Sequence, residues 1–373
     1  MFPLTILSWH DTAYLLFSSV SEWQPYSNIN GGGDNSIELL HGGIHNFVGG
    51  FNPNYGHMTF LYYSSWDPIF WLHHANIDRL VAMWQAIHPY TYITPQTTSD
   101  ATYFVPVGTV EDENHPLAPF HNDSNGGFHT GASSRRLKTF GYSYPELVYW
   151  SETGKNVWDL ASYVTKVVNS LYHPKFAGVR EGIAIQYTKH DHPVGTSLGA
   201  DWEWKFNLKV NQTAVVDSTA VYFFSNDNRL SNDVQNWGGD PSLIGSQLVI
   251  HSKNKGVAKS QFAPPQSSVP LTQALLSLGD LKPETVLPWV KKNVVWRAIP
   301  ASLLDGPAGG QVEGGPIDKR ENGQLQNGVV KLSLQARQVK QTTDASAFPQ
   351  YGRWIEYGTM YLVGDGNKMD HIK

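Results

Sequence analysis

His41 and His45 lie four residues apart, and the pair His73-His74 follows about thirty residues further on. On a helix, residues four apart stand one above the other on the same face, so both imidazoles of the first pair can reach one metal ion. The second pair sits in a run of large apolar residues, Phe70, Trp71, Leu72, Ile77, Leu80 and Trp84. An imidazole buried among such neighbours needs a metal or a hydrogen-bond partner. The 373-residue chain has 15 histidines and no cysteine, so copper or zinc would be held by imidazole rather than thiolate. Three neutral imidazoles from two crossing helices hold a borderline metal while leaving positions open, which suits small-molecule activation and suits copper. A zinc protease is disfavoured, because that chemistry places a glutamate directly after the first histidine and this chain has Gly42 there.

Two helices must carry these groups. Ser36, after the turn-forming stretch 31–35, is an N-cap for a helix with Ile37, His41, Ile44, His45 and Val48 on one face. Asp67-Pro68 is a natural start for a second helix running from Ile69 to about Trp84. Gly42 and Gly43 each cost the first helix roughly 1 kcal/mol relative to alanine, which predicts close approach of another backbone or of a substrate. A third, amphipathic helix after Gly154 places Val157, Leu160, Val164, Val168 and Leu171 at helical spacing.

Beyond Tyr172 the helical period dissolves into a glycine-containing passage with His190 and His192, and from Trp202 the pattern alternates. Trp202, Trp204, Phe206, Leu208 and Val210 predict a half-buried antiparallel strand, and Val330, Leu332, Leu334 and Ala336 repeat it. Further strands are expected at 220–224 and 248–250, with a short helix over 271–278 and a Gly-rich loop over 306–315. The fold class predicted is α + β: a helical unit over 1–172, a linker over 173–199, and a C-terminal antiparallel β-sandwich over 200–373.

Composition narrows the function. A net charge of −5 without a basic stripe argues against nucleic acid. The sequence has no run of about 18 apolar residues and no basic n-region at its start, so neither a membrane span nor a signal peptide is predicted, and an intracellular location is expected. Asn122-Asp-Ser124 and Asn211-Gln-Thr213 match the glycosylation pattern, which leaves secretion open. The 13 Trp, 18 Tyr and 16 Phe suit flat, apolar substrates. His10 has no companion at ligand spacing, and no trio with helical spacing occurs among His57, His88, His115, His121, His129, His190, His192, His251 and His371.

The run from Asp67 through Pro-Ile-Phe-Trp-Leu-His-His-Ala-Asn-Ile-Asp to Arg79, preceded by His41-Gly-Gly-Ile-His45, resembles the second copper-binding motif of tyrosinases, catechol oxidases and molluscan-type hemocyanins. The resemblance implies copper held by His41, His45 and His74, with His73 packed beside them and Asn76 and Asp78 orienting the ligand rings by hydrogen bonds. It implies Glu38 as the group that holds a water and helps deprotonate a phenol. The asparagine usual after the first ligand is replaced by Gly42, which favours diphenol oxidation over monophenol hydroxylation. Ser64 falls at the position that gates the metal, with an open mouth expected.

Phe140-Gly-Tyr-Ser-Tyr-Pro145 is similar to the paired-tyrosine motif of the family, making Tyr142 and Tyr144 structural anchors. The stretch after about Asp201 is similar to the C-terminal domain of fungal pro-tyrosinases, a lid that inserts an aromatic side chain; Tyr222, Phe223, Phe224 and Tyr357 are the candidates. The family reaction takes a mono- or o-diphenol and O2 to an o-quinone, as in melanin-type pigment chemistry, at two coppers held by six histidines. The motif for the first copper is not found, so an N-terminally incomplete relative with one copper per chain is expected. The alternative is a copper-binding or hemocyanin-like oxygen-binding protein without catalysis, and a homo-oligomer is compatible with either.

Overall fold

The computed structural model describes residues 4–29, 31–49, 56–60, 63–98, 101–147, 157–173, 202–211, 219–225, 234–249, 266–300, 325–364 and 366–369. The expected linker beyond 173, with His190 and His192, and the Gly-rich loop at 306–315 lie outside these residues.

The N-terminal part is built on helices α1 Leu4–Ser19, α2 Trp23–Ser27, α3 Ile37–Gly49, α4 Pro68–Ile87 and α5 Val157–Tyr172, with a single turn Gly131–Ser134 between the last two. Each of the two site helices starts on a side-chain cap. Ser36 Oγ accepts from Leu39 N at 3.2 Å, and Asp67 Oδ1 accepts from Ile69 N at 3.0 Å, satisfying amides that have no partner inside the helix. Pro68 at the first turn of α4 forfeits only an amide that would be orphaned anyway.

Trp84 anchors the helical core. Its ring stacks on Tyr26 at 4.3 Å, its indole N–H donates to Val20 O at 2.8 Å, and Met83, Val164, Val168, Leu16 and Phe17 close around it. Arg79 ties α4 outward, donating to Glu146 at 2.6 Å and to the Tyr172 hydroxyl at 2.8 Å. Two short antiparallel pairs, Gln96–Thr97 with Val110–Glu111 and Pro116–His121 with Phe128–Thr130, interrupt the stretch between α4 and α5; the sequence reading did not anticipate them.

The C-terminal part is a two-sheet antiparallel sandwich. Its strands are β1 Trp202–Val210, β2 Thr219–Phe224, β3 Leu243–Val249, β4 Gln266–Pro270, β5 Val295–Pro300, β6 Leu325–Lys340, β7 Gln350–Tyr351, β8 Ile355–Gly364 and β9 Gly366–Lys368. One sheet runs β7-β6-β1-β4 with β8 also on β6; the other runs β9-β5-β2-β3. The register sets Trp204, Phe206, Leu208 and Val210 against Ala336, Leu334, Leu332 and Val330, all buried. Phe206 meets Phe223 of the facing sheet at 4.8 Å between ring centroids. A further helix, α6 Pro283–Asn293, caps the core with Val286 and Val290.

The strand expected to be half-buried is buried on both faces from Trp204 to Leu208, and Lys209 is exposed. Lys205 and Asn207, which alternation would give to solvent, are covered because the helical part sits on that face. Asp34, just before α3, accepts from Lys205 Nζ and, at 2.8 Å, from Asn207 Nδ2. Asn35 exchanges hydrogen bonds with Ser268 of β4, and Arg337 of β6 reaches Ser19 Oγ at 2.9 Å. The sandwich thus docks on α1 and on the turn that launches α3. Among the described residues no helix is long and apolar enough to cross a membrane.

Candidate metal centre

Helices α3 and α4 bring four imidazoles together. His41 Nε2 and His45 Nε2 each lie 3.1 Å from His74 Nε2. A first-row divalent ion sits about 2.0–2.1 Å from an imidazole nitrogen, so two such donors in a tetrahedral array stand about 3.3 Å apart. The observed spacing matches that requirement. His74 Nε2 has one proton or one lone pair in its ring plane, which cannot bond well to two nitrogens at once. An ion resolves the conflict by taking a lone pair from each ring.

The tautomer of His45 is set by the backbone. Its Nδ1 lies 2.8 Å from Met58 O, a pure acceptor, so Nδ1 carries the proton and Nε2 presents its lone pair to the centre. Met58 belongs to a single 3-10 turn, His57–Thr59.

A second trio is close. His41, His45 and His73 also place one nitrogen each within 4.8 Å of one another. The tighter contacts belong to His74, and His73 Nε2 already donates to His41 O at 3.2 Å. The His73 ring lies parallel to that of His41, with centroids 5.2 Å apart, so it braces α3 against α4. Phe70 stacks on His74 from the other side at 4.0 Å.

Burial and neighbouring imidazoles keep these rings neutral. Desolvation first, then His45, His74 and His73, pulls His41 down to about 4. Desolvation and His45 take His73 to about 4 against the opposing bond to His41 O, and burial lowers His74 as well. Neutral imidazole is the form that binds a metal, so the site is prepared for one above mildly acidic pH.

Several residues expected at the centre stand elsewhere. Glu38 is exposed and its Oε2 accepts from Ile29 N at 2.8 Å, closing the loop before α3 rather than facing the imidazoles. Asn76 and Asp78 do not bond the ligand rings. Asn76 Oδ1 accepts from Arg79 at 3.2 Å, and Asp78 Oδ2 accepts from the Tyr142 and Tyr144 hydroxyls at 2.7 and 2.6 Å. The ring-orienting role falls to the Met58 carbonyl. Tyr144 also reaches Ala75 O at 3.0 Å, so the tyrosine pair pins the turn of α4 that follows the ligand; burial and Asp78 push the Tyr142 phenol up to about 12.

Ser64 is buried within a 3-10 turn, not at an open mouth. A Cβ on Gly42 would meet nothing within 4 Å, and one on Gly43 would make ordinary contact with Trp9 at 3.7 Å. The predicted close approach of protein backbone is therefore not seen among the described residues. The candidate inserting aromatics are held within the C-terminal part: Phe223 packs on Phe206 and Tyr357 on Trp204 at the sandwich core, while Tyr222 and Phe224, on the other face of β2, pack on Trp237.

The helix pair with its converging imidazoles and part of the antiparallel β-sandwich each fall in a region that matches a tyrosinase domain. Residues 5–87 match the common central domain of tyrosinase and residues 203–305 match the tyrosinase C-terminal domain. The chain is 36% identical to a tyrosinase of Neurospora crassa over 167 residues, 44% of this chain and 23% of that protein. It is 34% identical to polyphenol oxidase 2 of Agaricus bisporus over 139 residues, 36% of this chain and 25% of that protein. A solved mushroom tyrosinase superposes with a TM-score of 0.70 at 20% identity, over 95% of this chain and 61% of that one. Both matched regions are those of tyrosinase domains. The chain spans about a quarter of the length of these two curated relatives.

Proposed function

We propose that the chain serves copper-dependent oxidation of phenols by O2 to o-quinones, with an o-diphenol as the favoured substrate class. The observation that carries this is the convergence of the Nε2 atoms of His41, His45 and His74. Copper held there would supply redox equivalents and Lewis acidity. The protein's own part is to fix the rings: Met58 O sets the His45 tautomer, His73 braces His41, and Phe70 flanks His74.

Preference for a diphenol follows from what surrounds the trio. Among the described residues no atom lies within 4 Å of a Cβ on Gly42, and one oxygen of the Glu38 carboxylate already accepts from Ile29 N. A catechol needs less help, since its first ionisation is easier than that of a monophenol. The matching tyrosinase C-terminal domain favours the oxidase over an oxygen carrier.

The test is copper binding by equilibrium dialysis with elemental analysis, paired with dopa oxidation under O2. One copper per chain is expected, lost in His74→Ala and retained with weaker affinity in His73→Ala. Equal loss from both variants would overturn the ligand assignment, and absence of bound copper in the parent chain would overturn the function.

A further inference from the structure

The helix that carries His41 and His45 starts from a polar anchor on the sandwich. Asp34 accepts from the Lys205 ammonium and, at 2.8 Å, from the Asn207 amide, both of β1. Asn35 Nδ2 donates to Ser268 Oγ at 2.9 Å and to Ser268 O at 3.2 Å, and Asn35 Oδ1 accepts from Ser268 N at 3.2 Å. The Asn35 amide thus pairs with the backbone of β4 much as a residue of a neighbouring strand would, which fixes its place along that strand. Buried Ser36 follows directly and caps α3.

Such an anchor is a poor device for stability alone. Lys205, Asn207 and Ser268 are buried, and packed apolar side chains would join two parts of a protein at a lower cost in desolvation. What a satisfied buried polar network adds is one register. Register matters here because Gly42 and Gly43 directly follow the first ligand, and that turn has no side chain to lock it. Among the described residues no atom lies within 4 Å of a Cβ on Gly42. A helix rises about 1.5 Å per residue, so a slip at Asp34 or Asn35 would move both rings along the helix axis. His41 Nε2 and His45 Nε2 each stand 3.1 Å from His74 Nε2, and a metal site tolerates ligand displacements of only about 0.2 Å.

We infer that Lys205, Asn207 and Ser268 are positioning residues of the metal centre: acting through Asp34 and Asn35, they fix the start of α3 and aim His41 and His45 at His74. The inference rests on metal binding by these imidazoles, as proposed above. It adds that docking of the sandwich and metal affinity are coupled, each strengthening the other by the same factor.

Zn(II) affinity of the 373-residue chain at pH 7.5 is measured by competition with a chromophoric chelator, and Cu(II) bound to the same chains is read by electron paramagnetic resonance. Lys205→Met and, independently, Asn35→Ala each break one half of the anchor. Each should weaken Zn(II) binding by about fivefold or more, the lower end of couplings between sites. Each should also shift the copper hyperfine splitting at full loading, which a loss of stability alone would not do. The control is Ser18→Ala with Ser19→Ala, which removes two contacts of the sandwich with α1, to Tyr351 and to Arg337, and leaves α3 untouched. Its affinity should stay within about twofold of the parent.

Parent-like affinity or an unshifted spectrum in either anchor variant overturns the inference. An equal loss of affinity in the α1 control also overturns it, since general loosening of the sandwich would then be the cause. A parent chain that binds neither ion refutes the metal site itself and the inference with it, and metal analysis of the parent distinguishes that failure from the other two.

Discussion

Replacing Asp34 by alanine tests how the sandwich is held to the helical part. Lys205 has a side chain only 3% exposed, and it is paired with the carboxylate of Asp34, itself 36% exposed. Burial lowers the Lys205 pKa, and Asp34 opposes that shift. Removing one member of a buried ion pair costs about 3–5 kcal/mol, because the charge left behind has no compensation. Asp34 is partly screened by water, and the Trp354 ring lies 4.0 Å from Lys205 Nζ and still attracts the cation. The expected cost of Asp34→Ala is therefore about 2–3 kcal/mol. Lys205→Met removes the charge and keeps most of the volume, leaving Asp34 able to face water; it should cost about 1 kcal/mol or less.

The double variant should resemble Lys205→Met alone, giving a coupling of about 2 kcal/mol in urea unfolding followed by tryptophan fluorescence. The sign with pH is also fixed. In the folded Asp34→Ala chain the lysine pKa lies below its unfolded value near 10.5, so the folded state binds the proton more weakly. The penalty is complete at neutral pH and falls as pH rises through the lowered pKa toward 10.5. A cost below about 0.5 kcal/mol for Asp34→Ala, or an equal cost for Lys205→Met, would refute the reasoning.

The metal-free chain should lose stability in acid. His41 and His73 titrate at about 4 when folded against an ordinary 6.5; their contribution is intact above about 6.5 and is lost as pH falls toward 4. The urea midpoint at pH 5.0 should lie below that at pH 7.5, and bound Zn(II) at pH 7.5 should raise it; a midpoint unchanged between the two pH values contradicts buried neutral rings. Gly42→Ala should raise helix stability by about 0.5–1 kcal/mol, since its Cβ enters open space. A thermal scan showing destabilisation would mean that the neighbourhood of Gly42 is filled. Tyr144→Phe, which removes the hydroxyl shared between Asp78 and Ala75 O, should cost about 1–2 kcal/mol and should weaken metal affinity as the α4 turn loosens. Unchanged affinity by calorimetry would confine Tyr144 to stability alone.

The pairing of His41 with His45 could be read in the chain because helical spacing is a property of residue numbers: positions 41 and 45 share a face wherever the helix goes. Capping is equally local, and Ser36 and Asp67 act where their positions implied. What could not be read is anything resting on a backbone atom or on a distant element. The Met58 carbonyl fixes His45, yet a carbonyl belongs to every residue and leaves no mark in the letters. Tyr142 and Tyr144 capture Asp78 from about 65 residues away, which is why a carboxylate next to the ligand helix was expected to serve the rings and instead holds the turn.

Strand β1 shows the same division in the sandwich. Alternation correctly gives Trp204, Phe206, Leu208 and Val210 to the core, because period two is intrinsic to a strand. It assigns Lys205 and Asn207 to water only on the assumption that nothing covers the other face. Asp34 covers it, and a lysine among tryptophan and phenylalanine became an interdomain contact rather than a solubilising charge. A polar residue on the outer face of a strong strand is thus ambiguous until the partner of that face is known. The exposed tryptophans at the start of α4 pose the converse question: an apolar residue facing water, as at Trp66 and Leu72, marks a face whose partner has still to be found.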